Sequence, residues 1–167
     1  MFERELLLYD FMFGYAQLLT GDVADESMAD QPFTGANHPA WILGHLRVSE
    51  DAALRLLDVE SDCPSQWYDL FEPGTEPQPD RQSYPSKNEL LVGLKKGHRQ
   101  LVAAVRNVAA EDAARPNPVD VLQPWLATFG DVLAHVLATH PAIHCGQLAA
   151  WRRGMGLPIV APTPKLR

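Results

Sequence analysis

Four long stretches of this chain carry apolar residues at three- and four-residue steps, and none carries sustained alternation at two. That periodicity predicts helices near residues 2–19, 38–57, 86–109 and 128–153, with no sheet. The first stretch closes at Thr20-Gly21, a suitable C-terminal stop. The second opens at Asn37, a good N-cap, with Pro39 in its first turn. The third follows Ser86, with Glu89 three residues on as a capping box. The fourth ends at Gly154, and Gly156 and Pro158 discourage continuation. An all-α four-helix bundle follows, in which sites are built from side chains on facing helices.

The connections are unequal. Residues 58–85 form a long link holding Pro64, Pro73, Pro77, Pro79 and Pro85. Trp67, Tyr68 and Phe71 offer it apolar anchors, so the link reads as a crossover packed on the bundle between the second and third helices. The tail from residue 158 holds three prolines and reads as extended. No internal repeat or linker divides the 167 residues, and a single domain over 1–167 is expected.

Charge narrows the function. Lys and Arg number 14 against 21 Asp and Glu, a net charge of −7, which opposes nucleic-acid binding. No stretch approaches the roughly 20 apolar residues of a membrane span. Glu3, Glu5 and Asp10 interrupt what would otherwise resemble a leader segment. Two cysteines, Cys63 and Cys145, make no disulfide framework, and a cytoplasmic location is expected.

The six histidines are the most informative residues. His140 and His144 are four apart, so a helix projects them from one face. They continue the stripe Leu133, Val136, His140, His144, Gln147, Trp151, and His45 sits on the equivalent stripe of the second helix, followed by Ser49 and Ala52. His98 falls between Leu94 and Leu101 on the third, so up to four imidazoles are placed to converge. His38 and His135 read as surface or supporting residues. Clustered buried histidines repel one another when protonated, whereas a divalent metal uses their neutral lone pairs. A polar core network is the competing reading, and for His98 it is favoured. Pro141 replaces the glutamate that a zinc protease helix carries after its first histidine, so a protease is unsupported. It also removes a helix hydrogen bond to Leu137, which predicts either a kink or a restart capped by Thr139.

Four segments together carry a family resemblance. They are Asn37-His-Pro-Ala-Trp-Ile-Leu-Gly-His45-Leu, the loop Trp67 to Gly74, Tyr84-Pro-Ser86 with Glu89-Leu-Leu, and His140-Pro-Ala-Ile-His144-Cys-Gly-Gln147-Leu with Trp151-Arg-Arg. In order and in type they resemble the DinB-like (YfiT-like) metal-binding four-helix bundle superfamily. The resemblance implies a long crossover between helices 2 and 3, a metal triad at His45, His140 and His144, and often a homodimer. It implies a divalent ion such as zinc or nickel. It also implies, for some members, S-transfer or isomerisation with a low-molecular-weight thiol. The chain departs from the common pattern at Pro141, where an acidic or polar residue is frequent.

Three protein ligands leave an open metal position, which suits a thiol-dependent transferase on a small-molecule substrate, a hydrolase using bound water, or a noncatalytic metal-binding bundle. Gln147 is a candidate cofactor-binding residue or a support for the site. Arg152 and Arg153 suit either an anionic ligand or the helix dipole. Cys145 points about 100° away from His144 and reads as packing. No general base is evident: Glu50 is placed as turned away from His45, and Asp131 lies more than two turns before His140. The surplus of Leu6, Leu7, Leu8, Phe11, Met12 and Phe13 on the first helix predicts a homodimer.

Overall fold

The computed structural model describes residues 1–162; the last part of the proline-bearing tail lies outside the described residues. Seven α-helices follow in order: α1 (Glu3–Gly21), α2 (Pro39–Leu56), α3 (Gln66–Phe71), α4 (Lys87–Val105), α5 (Ala110–Ala113), α6 (Phe129–Ala134) and α7 (His140–Gly154). Among the described residues there is no strand, only an isolated bridge between Pro116 and Thr128. Helices α1, α2, α4 and the continuous α6–α7 rod form the four-helix bundle. In it α2 packs on α4 and α7, and α1 packs on α7 and α4. The link after α2 is the expected crossover, and α3 lies within it, against α2.

Local signals set most ends. Ser86 and Glu89 close the expected capping box of α4, and Thr128 with Asp131 makes a second one on α6. Two ends differ from expectation. The N-cap of α2 is His38, not Asn37: the Trp41 amide donates to His38 Nδ1 at 3.2 Å. An imidazole lone pair thus does the work of a capping oxygen. Helix α4 stops at Val105 rather than continuing to 109. The Asn107 side chain donates to the Ala103 carbonyl at 2.9 Å, competing with the ladder, and the chain turns out through Ala109.

Pro141 sits at the second position of α7, which follows a π-helical segment and has Thr139 at its N-cap position. Residues His135–Thr139 form a π-helical segment in which the amide of His140 bonds to the carbonyl of His135, five residues back. Thr139 is helical and caps nothing with its side chain. Widening the coil by one residue accommodates a proline that has no N–H to offer the residue four back.

The crossover is held by burial. Trp67 and Phe71 are buried, and the Phe71 ring lies where a side chain on Gly44 would be: a Cβ there would sit 2.5 Å from three ring carbons. Buried Arg152 holds the other end of the bundle. It donates to the Leu19 carbonyl at 2.8 Å, to Asp22, and to the Pro158 carbonyl. It is a structural clamp, neither a ligand contact nor a solvent-facing dipole partner, while Arg153 is exposed. Tyr15 donates to the Val160 carbonyl at 3.1 Å, so the start of the tail is pinned to the bundle.

Gly97 of α4 marks a second close approach. A Cβ there would meet Glu50 Oε2 inside van der Waals contact, and Arg47 Nη1 at 2.9 Å. Overpacking a filled core costs about 1–3 kcal/mol, and the helix propensity gained by alanine returns about 1 kcal/mol. Gly97→Ala is therefore expected to lower the denaturant midpoint, whereas Gly146→Ala, with open space around it, is expected to hold or raise it.

Candidate metal centre

His45 on α2 and His140 and His144 on α7 come together, as their stripes required. Their Nε2 atoms converge: His140 Nε2 lies 3.1 Å from His45 Nε2 and 3.1 Å from His144 Nε2. Ligand nitrogens about 2.0–2.1 Å from one tetrahedral ion are about 3.3 Å apart, so the spacing suits a shared cation. The three residues form a cluster that could hold a metal ion, with His45 and His144 buried and His140 partly so.

The outer nitrogens decide the orientation. His45 Nδ1–H donates to the Phe71 carbonyl at 2.7 Å. His144 Nδ1–H donates to Gln147 Oε1 at 2.9 Å, and the Asn37 amide donates to the same oxygen at 3.1 Å. With Nδ1 protonated in both rings, both Nε2 atoms present lone pairs to the centre. A single proton on His140 Nε2 satisfies one of them; a cation satisfies all three. Gln147 therefore touches His144 directly, a supporting contact. The Trp41 ring stacks on His45, with centroids 4.7 Å apart and planes 7° from parallel, and its indole donates to Thr75 of the crossover at 2.9 Å.

Electrostatics agree with neutral imidazoles. Burial, then the neighbouring His144 and His45, push His140 down to about 2. Burial and the neighbouring His45 push His144 to about 4, and burial lowers His45. His38 is fully buried rather than at the surface, and burial pushes it to about 4 while its Nε2–H donates to the Gln78 carbonyl at 2.9 Å.

His98 does not join the cluster. Its ring is sandwiched between Tyr9 and Phe13, with centroids at 4.6 and 4.2 Å. Its Nε2 is 3.0 Å from Asp10 Oδ1 but off the line of a hydrogen bond, which leaves an electrostatic contact. His135 stands outside the triad, with Nδ1 2.6 Å from Thr139 Oγ1. Both cysteines are free and buried, and burial pushes Cys63 to about 11 and Cys145 to about 12, away from nucleophilic use.

A model of the DinB superfamily matches residues 11–148, most of the chain and all three histidines. The chain belongs to the DinB superfamily. No curated protein matches it.

Glu50, expected to face away, lines the same cleft as His140. The cleft runs between α1, α2, α4 and the π segment, with walls of Met12, Phe13, Leu46, Leu94 and Val136. Glu50 is 4 % exposed and accepts the hydrogen of the Tyr9 hydroxyl. Burial raises its carboxyl well above the ordinary range, against the opposing pulls of Tyr9 and Arg47. Asp131 is spent on its capping box.

The histidines link stability to pH. Their folded values lie below the unfolded value of 6.5, so the unfolded chain binds more protons in mild acid. Their contribution is complete above pH 6.5 and is lost as pH falls toward about 4. A fully linked residue such as His38 removes about 2 kcal/mol between pH 6.5 and 5. Melts in chelator at pH 7.5 and pH 5 are expected to differ by several degrees, lower in acid; equal melts contradict the assignment.

Proposed function

We propose that the chain is a metal-dependent enzyme acting on a small molecule, with His45, His140 and His144 as the protein ligands of one divalent ion. The observation that carries this reading is the pair of locked tautomers: Phe71 and Gln147 each take an Nδ1 proton, which leaves two lone pairs aimed at a third imidazole. Nitrogen donors suit zinc and nickel. Three protein ligands leave a position open, where a bound ion supplies Lewis acidity and stabilises a thiolate. Thiol S-transfer is the reaction we favour, with a low-molecular-weight thiol as co-substrate. The apolar cleft at His140 supports it, since a desolvated electrophile beside a sulfur nucleophile needs such walls. The chain's own residues hold the imidazoles neutral, fix their orientation and keep water scarce.

We also propose a cytoplasmic homodimer. The two unpaired cysteines fit a reducing compartment, and no helix among the described residues is long and apolar enough to cross a membrane. On α1, Leu6 turns into the core, while Leu7 (70 % exposed), Leu8, Phe11 and Leu18 remain outside as an apolar face. Light scattering at micromolar concentration should give twice the chain mass, and Leu7→Glu with Phe11→Glu should halve it. A monomeric wild type contradicts the assignment.

Protein purified without affinity metals is expected to carry close to one equivalent of divalent ion by elemental analysis. His144→Ala should abolish tight binding. Metal at 100 times its Kd adds about 2.7 kcal/mol to the folded state, so the loaded wild type should melt above the mutant. That gap should shrink strongly in excess chelator. A wild type that neither holds metal nor gains thermal stability from zinc, nickel or manganese would reduce the triad to a polar core cluster.

A further inference from the structure

The loop that leads into α2 is firmly braced, yet it holds an aromatic ring out in solvent. The Trp151 indole donates to the Asp30 carbonyl at 2.7 Å, and Gln31 Nε2 donates to the Ala36 and Pro77 carbonyls at 2.9 and 3.2 Å. Pro32 presses on Gly154 of α7, where an added Cβ would sit 2.7 Å from Pro32 Cβ. The Ala36 amide closes a turn onto the Phe33 carbonyl at 3.1 Å, and Gly35, at φ +79°, supplies the left-handed conformation at its third position. Phe33 opens that turn and is 70 % exposed. It lines a groove of about 290 Å³ between the loop and α7, whose walls include Trp151, Asn37 and Gln147. That volume suits a small ligand.

The two amides of this groove are only half used. Asn37 Nδ2 donates to Gln147 Oε1, which also accepts from His144 Nδ1. Asn37 Oδ1 and Gln147 Nε2 have no hydrogen-bond partner among the described residues, and neither atom is sealed from solvent. Oxygen and nitrogen of one amide are about 2.2 Å apart. With Nδ2 and Oε1 at 3.1 Å, the two free atoms therefore lie within about 8 Å of each other. One acceptor and one donor in that reach match the N–H and C=O of a primary amide. A carboxylate would satisfy Gln147 and set a second oxygen against that of Asn37.

We propose that this groove binds a small planar ring bearing a primary carboxamide. The ligand carbonyl accepts from Gln147 Nε2, its N–H donates to Asn37 Oδ1, and its ring lies against Phe33. Binding there requires no metal. Gln147 nevertheless joins the groove to the histidine cluster, because the amide that holds the ligand also holds His144 Nδ1–H. Donating from Nε2 polarises the same amide at Oε1 and tightens the bond that fixes that imidazole.

Benzamide is the probe, added to the full metal-free chain and followed by NMR of the Asn37 and Gln147 side-chain amides, both of which should shift to saturation. N,N-dimethylbenzamide keeps the ring and the carbonyl but has no N–H, and should bind about tenfold more weakly; benzoate should do the same. Asn37→Ala should bring benzamide and its dimethyl analogue to within about twofold of each other, which separates the lost hydrogen bond from the bulk of the added methyls. Phe33→Ala should weaken benzamide about fivefold with an unchanged melting temperature, since that side chain is exposed. The His144 Nδ1 resonance in 15N-labelled wild type should move as the groove fills. The proposal is overturned by no saturable benzamide binding, by equal binding of the dimethyl analogue to wild type, by a difference between the two that persists in Asn37→Ala, by undiminished binding to Phe33→Ala, or by an unmoved His144 signal. Benzamide binding of the expected pattern in a protein that takes up no metal removes the metal-centre reading and leaves the groove assignment standing; metal uptake without benzamide binding does the reverse.

Discussion

The Phe71 carbonyl fixes the centre. A histidine on a bundle helix has two tautomers and a freely turning ring, and neither is chosen by the helix itself. The 2.7 Å bond from His45 Nδ1 to Phe71 chooses both, from a segment 26 residues downstream. It requires the short helix α3 to lie flat on α2, which Gly44 permits by leaving room for the Phe71 ring. Trp67 burial and the Trp41–Thr75 bond hold the same segment in place. A crossover that looks like a mere connection is thus half of the site.

The other half is symmetrical in logic. His144 has its outer nitrogen held by Gln147, and Gln147 is held by Asn37, the residue just before the His38 cap. The start of α2 and the last helix are therefore tied by a polar chain that passes through a ligand candidate. Buried polar atoms are costly unless satisfied. Here satisfying them and aiming the imidazoles are the same contacts, so loosening either one disturbs both.

How much of this was legible in the sequence depends on the range of each interaction. Helix spacing, the Ser86–Glu89 box and the i, i+4 pair His140–His144 are local, and they survived intact. Convergence of His45 with that pair followed from apolar stripes that had to face one core. His98 lay on such a stripe too, but the aromatic rings of Tyr9 and Phe13 occupy both its faces. The His38 cap, the Phe71 carbonyl and the placing of Glu50 depend on where a proline-rich loop and a neighbouring helix come to rest. A sequence period carries no such information. The nearest available hint for Glu50 was its place on one helix face with Leu46, Ala53 and Leu54, and spacing from His45 alone argued the other way.

The π segment ahead of His140 has a consequence for helix phase. Five residues, His135–Thr139, take up the turn that an α-helix completes with about one residue fewer. Upstream, Phe129, Val132 and Leu133 of α6 are in register with the core; downstream, His140 and His144 are in register with α2. The two registers differ by one position, and the widened coil absorbs the difference. If the segment became α-helical at the same length, every side chain after it would rotate by about 100°. The imidazoles would then leave the centre while the apolar stripe before them stayed buried, whereas deleting a single residue there would let an α-helix keep both registers. The match between chain length and coil width in this segment, more than the identity of any residue in it, sets the angular aim of the last two ligand candidates.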